Sequence, residues 1–185
     1  VFVDIDRETY NMDYQKLEEA IIQVKNEGKL TPKGIIPVDL FGQPADYDEI
    51  NAIARKYGLW VLEDAAQGFG GVYKGKRAGS LADVAGTSFF PAKPLGTYGD
   101  GGMVFTDDAG MLEKLLSIRV HGQGTDKYNN IRIGINGRLD TLMAAILLPK
   151  ADIFEEEIGL RQNVANRYND LLDTVVKTPY VKDHN

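Results

Sequence analysis

The chain contains no cysteine. That excludes disulfides, thiolate metal sites and a cysteine nucleophile, and it fits a reducing cytoplasm. Histidine is nearly as scarce: only His121 and His184 are present. They are too few and too far apart for a dedicated histidine metal site, so no metal is expected. No apolar run approaches the length that spans a bilayer, and the first residues do not read as a signal peptide; no membrane partner is expected. Positive charge is in deficit, with 21 Lys and Arg against 27 Asp and Glu and a net charge of -6. That leaves no basic footprint for nucleic acid. A cytoplasmic location is expected.

What is present is ordinary for a globular protein: 185 residues, 43% hydrophobic and 26% charged, enough for one good core. The ends are less ordinary. Val1 is not a start methionine, and Val1-Phe-Val-Asp-Ile5 reads as a strand already under way. Thr174 to Asn185 carries Pro179 and little periodicity. The chain is expected to be the middle of a longer protein.

Between the ends, strand and helix patterns alternate. Leu17, Ala20, Ile21 and Val24 form one apolar face of a helix that Asp13 can cap and that ends near Gly28. Gly34 to Asp39 is a short buried strand candidate. Asp46 followed by Glu49 resembles a capping box, and Ile50, Ile53, Ala54 and Tyr57 then make a helical stripe ending at Gly58. Leu59 to Glu63, Val84 to Phe90 and Gly102 to Thr106 read as further strands, followed by a helix with Leu112, Leu115 and Leu116. Leu139 to Leu148 predicts an apolar helix broken near Pro149. A longer helix carries Phe154, Ile158, Arg161, Ala165, Tyr168 and Leu172. The expected class is α/β, a mostly parallel sheet with flanking helices. Such sheets bind ligands beyond the carboxyl ends of their strands, where Asp64 and Ser88 fall.

Two segments carry the chemistry: Glu63-Asp64-Ala-Ala-Gln67 and Ser88-Phe-Phe-Pro-Ala-Lys93-Pro-Leu-Gly96. A carboxylate, an amide, a hydroxyl and a lysine near strand ends are what a protein needs to hold pyridoxal phosphate. Lysine condenses with the coenzyme aldehyde, and an aspartate keeps the pyridine nitrogen protonated. Pro91 and Pro94 prevent both a regular strand and an uninterrupted helix around Lys93, so a rigid turn aims its amine. Each member also has a plainer reading. Lys93 reads as a surface lysine, Asp64 as a helix N-cap and Ser88 as a turn residue, and Gln67 alone says little. The set is far more specific than any member.

Competing motifs are weaker. Gly70 to Arg77 is one residue short of a Walker A loop, and Arg77 stands where Ser or Thr must ligate magnesium. Tyr73-Lys-Gly75-Lys reads better as a hairpin turn. No GxGxxG follows a strand. Glu155 to Glu157 reads as a solvated helix face.

Taken together, the motifs resemble the DegT-type, pyridoxal-phosphate-dependent nucleotide-sugar aminotransferases. The resemblance runs through Leu40-Phe-Gly42-Gln43-Pro44-Ala-Asp46, Glu63 to Gln67, Ser88 to Lys93, Gly99-Asp-Gly-Gly102 and Gly134-Ile-Asn136-Gly-Arg138-Leu-Asp140. It implies the central part of the fold-type-I large domain, with residues 1–150 in that domain. Residues 151–173 would form a long helix toward a small domain, and 174–185 the start of that C-terminal domain. It implies that Lys93 binds the coenzyme covalently and shuttles the proton, and that Asp64 faces the pyridinium nitrogen. Gln67 would lie near the phenolic oxygen, Ser88 would hold the phosphate, and Asn136 would reach the phosphate in a neighbouring subunit of a homodimer. Arg138 and His121 lie in family-typical segments without an assigned role.

The implied activity is amine transfer from L-glutamate to a ketone carbon of a nucleotide-linked sugar. Pro94, the preceding Phe-Phe and Leu147 to Phe154 are most similar to members that aminate C3 of a UDP-linked 3-keto-N-acetylglucosaminuronate. Those serve O-antigen or other surface-polysaccharide pathways. A C4 deoxysugar aminotransferase, a sugar dehydratase and a non-catalytic regulatory relative are the alternatives; the dehydratases carry histidine where Lys93 stands. Asp39, Phe41, Gly137 and Met143 depart from the commoner His, Tyr, Ser and Gln of the family. The 185 residues alone lack the family's N-terminal coenzyme-binding segment and C-terminal domain. They are expected to bind coenzyme weakly and to turn over no substrate.

Overall fold

The computed structural model describes residues 1–183. His184 and Asn185, the last two positions of the expected 174–185 segment, lie outside the described residues. Helix α1 (Tyr14–Glu27) begins where the Asp13 carboxylate accepts the N–H groups of Gln15 and Lys16, and it stops at Gly28 in the left-handed conformation. Leu17 and Ile21, one turn apart, bury its inner face. Asp13→Ala should cost about 1 kcal/mol of stability, read from a urea midpoint, because two amide donors lose their acceptor.

The main sheet has four strands in the order β1 (Gly34–Ile35), β2 (Trp60–Asp64), β5 (Val84–Ser88), β6 (Gly102–Phe105). The first three run parallel and β6 runs antiparallel to β5. This is the mostly parallel α/β sheet that the pattern predicts. β1 is shorter than the apolar run because Pro37 has no N–H to donate. The ladder nevertheless resumes one step on: Asp64 N donates to Pro37 O, Asp39 N donates to Asp64 O, and Val38 bridges Asp64. Helix α2 (Tyr47–Tyr57) buries Ile50 and Ala54 against Val61, Ile35, Leu17 and Ile21 in one core. Buried side chains of Val, Leu and Ile size contribute roughly 1.5–3 kcal/mol each.

β3 (Val72–Tyr73) and β4 (Lys76–Arg77) form a hairpin whose turn residues Lys74 and Gly75 both have positive φ, at 48° and 81°. That is the twist a two-residue hairpin turn requires, and it disposes of the phosphate-loop reading. Helix α3 (Ala109–Arg119) follows β6, and α4 (Thr141–Asp152) and α5 (Phe154–Leu172) cover a second core.

Three local expectations are corrected. Val1–Ile5 is not a strand; among the described residues it makes a single antiparallel bridge, Ile5 with Met12. Asp46 forms no capping bond, because its carboxylate is taken at 2.5 Å by Lys182 from the far end of the chain. α4 is not broken at Pro149 but continues to Asp152. A proline that close to a helix end removes one backbone bond and leaves the last turn intact.

Candidate active site

The carboxyl ends of β2 and β5 lie side by side, with Asp64 in register with Gly86, two residues before Ser88. The backbone continues this edge: Ala65 N donates to Gly86 O, and Thr87 Oγ1 to Ala65 O. Asp64 is half-buried at the strand end. Its Oδ1 accepts the Ala66 N–H at 3.0 Å, while Oδ2 has no partner among the described residues. A turn rather than a helix follows, closed by Phe69 N on Ala65 O, so the helix-cap reading of Asp64 does not hold.

Gln67 sits on that turn and reaches back: its Oε1 accepts the N–H of Phe41 at 3.0 Å. Phe41 is in the left-handed region at φ 58°, a conformation costly for a non-glycine residue, and Gln67 helps hold it there. Phe69 fixes the other end of the turn by stacking on Phe105 at 5.9 Å and Phe154 at 5.7 Å. Ser88 Oγ accepts from Phe90 N at 3.2 Å, which leaves its own hydroxyl proton uncommitted.

Lys93 stands on a clamped turn. Phe89 before it and Leu95 after it are both buried in the second core with Leu147 and Phe154. Lys93 N donates to Phe90 O, and Thr97 donates through both N and Oγ1 to Phe89 O, closing the loop. Lys150 from α4 and Arg161 from α5 donate to the carbonyls of Gly96 and Pro94. Gly96 is required there, since a Cβ would lie 2.7 Å from Pro91 O. The Lys93 side chain itself is half-buried, and its Nζ has no hydrogen-bond or ion-pair partner among the described residues.

Asp64 and Ser88 thus close β2 and β5 at the same end of the sheet, and Gln67 and Lys93 stand on the turns that follow them. Asn136 does not join them. It is exposed in the segment after α3, bridges Val120, and accepts from Arg138 Nε at 3.0 Å.

Sequence reasoning missed a buried pair of acids below this edge. Asp39 and Glu63 are both 0% exposed. Glu63 takes the N–H groups of Gly79 and Leu81 on its two oxygens. Asp39 Oδ1 accepts from Ala45 N at 3.2 Å and Tyr47 OH at 2.8 Å. Burial, and next the Glu63 carboxylate, push the Asp39 carboxyl up to about 8; burial also raises Glu63 and Tyr47. The signal was available in part: period-two alternation puts Glu63 on the face of Val61, an apolar position.

Among the described residues there is no group of three or more His, Asp or Glu that could hold a metal, and no helix long and apolar enough to cross a membrane.

The chain is similar along its whole length to several known proteins. A UDP-2-acetamido-2-deoxy-3-oxo-D-glucuronate aminotransferase of Pseudomonas aeruginosa is 56% identical over 100% of this chain, which spans 50% of that protein's length. The crystal structure of a DegT DnrJ EryC1 StrS aminotransferase from Brucella abortus superposes with TM-score 0.98 at 51% identity, covering 100% of this chain and 50% of that one. NtdA from Bacillus subtilis, solved with bound cofactor PMP, gives TM-score 0.83 at 31% identity over 100% of this chain and 42% of its own. The chain therefore spans about half the length of the relatives it matches. The profile of the DegT/DnrJ/EryC1/StrS aminotransferase family matches residues 1–185, and the chain belongs to that family.

Proposed function

We propose that the protein containing this chain is a pyridoxal-phosphate-dependent aminotransferase of a keto nucleotide-sugar. The observation that carries the reading is the Lys93 amine, without a partner among the described residues, on a turn that follows β5, the strand beside Asp64, and that is clamped by Phe89 and Leu95. Pyridoxal phosphate would supply an aldehyde and an electron sink at that place. The residues fit it. Among the described residues nothing occupies Asp64 Oδ2, which could accept a pyridinium N–H, or the Ser88 hydroxyl proton, which could go to a phosphate oxygen, and Gln67 stands on the turn after Asp64. Lys93 Nζ would bind the aldehyde carbon and then take and return the proton at the substrate carbon.

The substrate reading is C3 of a UDP-linked 3-keto-N-acetylglucosaminuronate, with L-glutamate as donor, supported by the name of the Pseudomonas relative. A homodimer belongs to the same proposal, with Asn136 contributed to the partner's site. It is supported by large apolar side chains left in water, among them Tyr128, Ile133, Leu142, Leu148 and Leu171. The division at residue 150, with α5 leading toward a second domain, is proposed with it.

The test is an absorption spectrum of the full gene product with pyridoxal phosphate, before and after L-glutamate. A visible-edge band that glutamate converts to the pyridoxamine form is expected. A band indifferent to glutamate and other amines would favour a regulatory relative or a different reaction. No band would end the coenzyme assignment.

A further inference from the structure

Below the edge, the Asp39–Glu63 pair has a charge problem. Two carboxyls are fully buried, and neither pairs with a lysine, arginine or histidine among the described residues. Two buried, adjacent carboxylates without a counterion are not sustainable, so one carries a proton. The hydrogen bonds say which. Both Glu63 oxygens accept backbone N–H groups, as an ionised carboxylate does. Asp39 Oδ1 accepts two donors, but its buried Oδ2 receives none. An oxygen in that position is satisfied if it is the donor, and the buried Glu63 carboxylate, whose charge bears on Asp39, is the available acceptor.

The place of Asp39 makes this more than a local matter. Its backbone N–H holds Asp64 O at 3.0 Å. Its side chain lies directly under Gly68, next to Gln67, where a Cβ would come within 2.4 Å of Asp39 Cβ. Through Glu63 it reaches Gly79 and Leu81, and through Tyr47 it reaches α2.

We propose that Asp39 is a neutral acid that donates its proton to Glu63, and that this bond makes Asp39 a positioning residue for the Asp64–Gln67 turn. The positioning role rests on the function proposed above; the protonation state does not. Asp39 touches no substrate. Among the described residues, the titratable groups facing it are Tyr47 from α2 and Glu63 from β2, and the Asp64 carboxylate faces Tyr47.

The sign of the pH dependence follows from the raised carboxyl. Between about pH 4 and the folded value near 8, the folded chain keeps a proton that the unfolded chain has released. Raising the pH therefore favours unfolding through this group, by up to about tenfold per pH unit in the equilibrium constant. Asp39→Asn keeps a carbonyl for Ala45 and Tyr47 and offers an N–H to Glu63 without a titratable proton.

The experiment compares the full gene product with its Asp39→Asn variant by urea unfolding at pH 5, 6, 7 and 8. The ratio of the wild-type to the variant unfolding constant is expected to climb with pH; a ratio flat across the series would overturn the proposal. The wild type alone provides a second readout. Its infrared spectrum at pH 7 should show the C=O stretch of a neutral carboxylic acid that vanishes on unfolding, and its absence would also overturn it. Coenzyme retained after desalting tests the positioning half. The wild type should lose it more readily at pH 9.5 than at pH 7, and the variant should not; equal losses would remove the positioning role. If neither protein retains coenzyme at any pH, the functional reading fails and with it the positioning role, while the unfolding series still decides where the proton sits.

Discussion

Lys93→Ala in the full gene product is expected to abolish both coenzyme attachment and amine transfer. The loss of turnover should be at least about a hundredfold, since a positioned proton-transfer group alone contributes about 10²–10⁴ and the same amine is the attachment point. The fold should not notice. The Lys93 Nζ makes no bond among the described residues, whereas the turn is held by Phe89, Leu95, Thr97 and the carbonyl contacts from Lys150 and Arg161. The unfolding midpoint should therefore stay near that of the wild type while the visible-edge band disappears. A variant that keeps the band would place the attachment elsewhere and remove Lys93 from the mechanism. Added small amines should restore part of the proton transfer but not the attachment, which separates the two roles.

The second large effect is expected at Gly68, where nothing reactive is present. A Cβ there would lie 2.4 Å from Asp39 Cβ and 2.7 Å from Asp39 Oδ2. Asp39 cannot retreat, because it is fully buried and bonded to Ala45 and Tyr47. The turn cannot retreat either: Phe69 N on Ala65 O at 2.9 Å and Gly71 N on Gly68 O at 2.7 Å hold it on both sides. Gly68→Ala should cost about 2–3 kcal/mol, as overpacking in a closed site does, and it should weaken coenzyme retention by displacing Gln67. Gly159→Ala in α5 is the control, since a Cβ there meets nothing within 4 Å. It should be neutral or stabilise the helix by up to about 1 kcal/mol. Equal urea midpoints for the two variants would show that the Gly68 turn is softer than its hydrogen bonds imply.

Much of the frame was legible in the amino-acid sequence because it is written in local terms. A capping aspartate, an i, i+4 apolar pair and a glycine stop define α1 within fifteen residues of chain. Short apolar runs separated by helical stripes specify a mostly parallel sheet, and such a sheet presents its strand ends on one edge. Asp64 and Ser88 were placed there by counting alone, and two prolines were enough to forecast a turn around Lys93. Positive φ at Lys74 and Gly75 was equally local, which is why the hairpin reading held against the phosphate loop.

Other features required the chain to be folded. Whether Asp46 caps α2 depends on Lys182, which approaches from 136 residues away and takes the carboxylate first. Whether Val1–Ile5 forms a strand depends on a neighbour to pair with, and among the described residues only Met12 offers a bridge. Gln67 meets Phe41, and Asp39 meets Glu63, only because β1 and β2 lie side by side. Sequence patterns report what a residue prefers with its near neighbours. Hydrogen-bond partners and the sharing of a proton are set by distances across the sheet. The sequence by itself therefore determined which chemical groups stand at the edge, and the tertiary structure decided what holds them there.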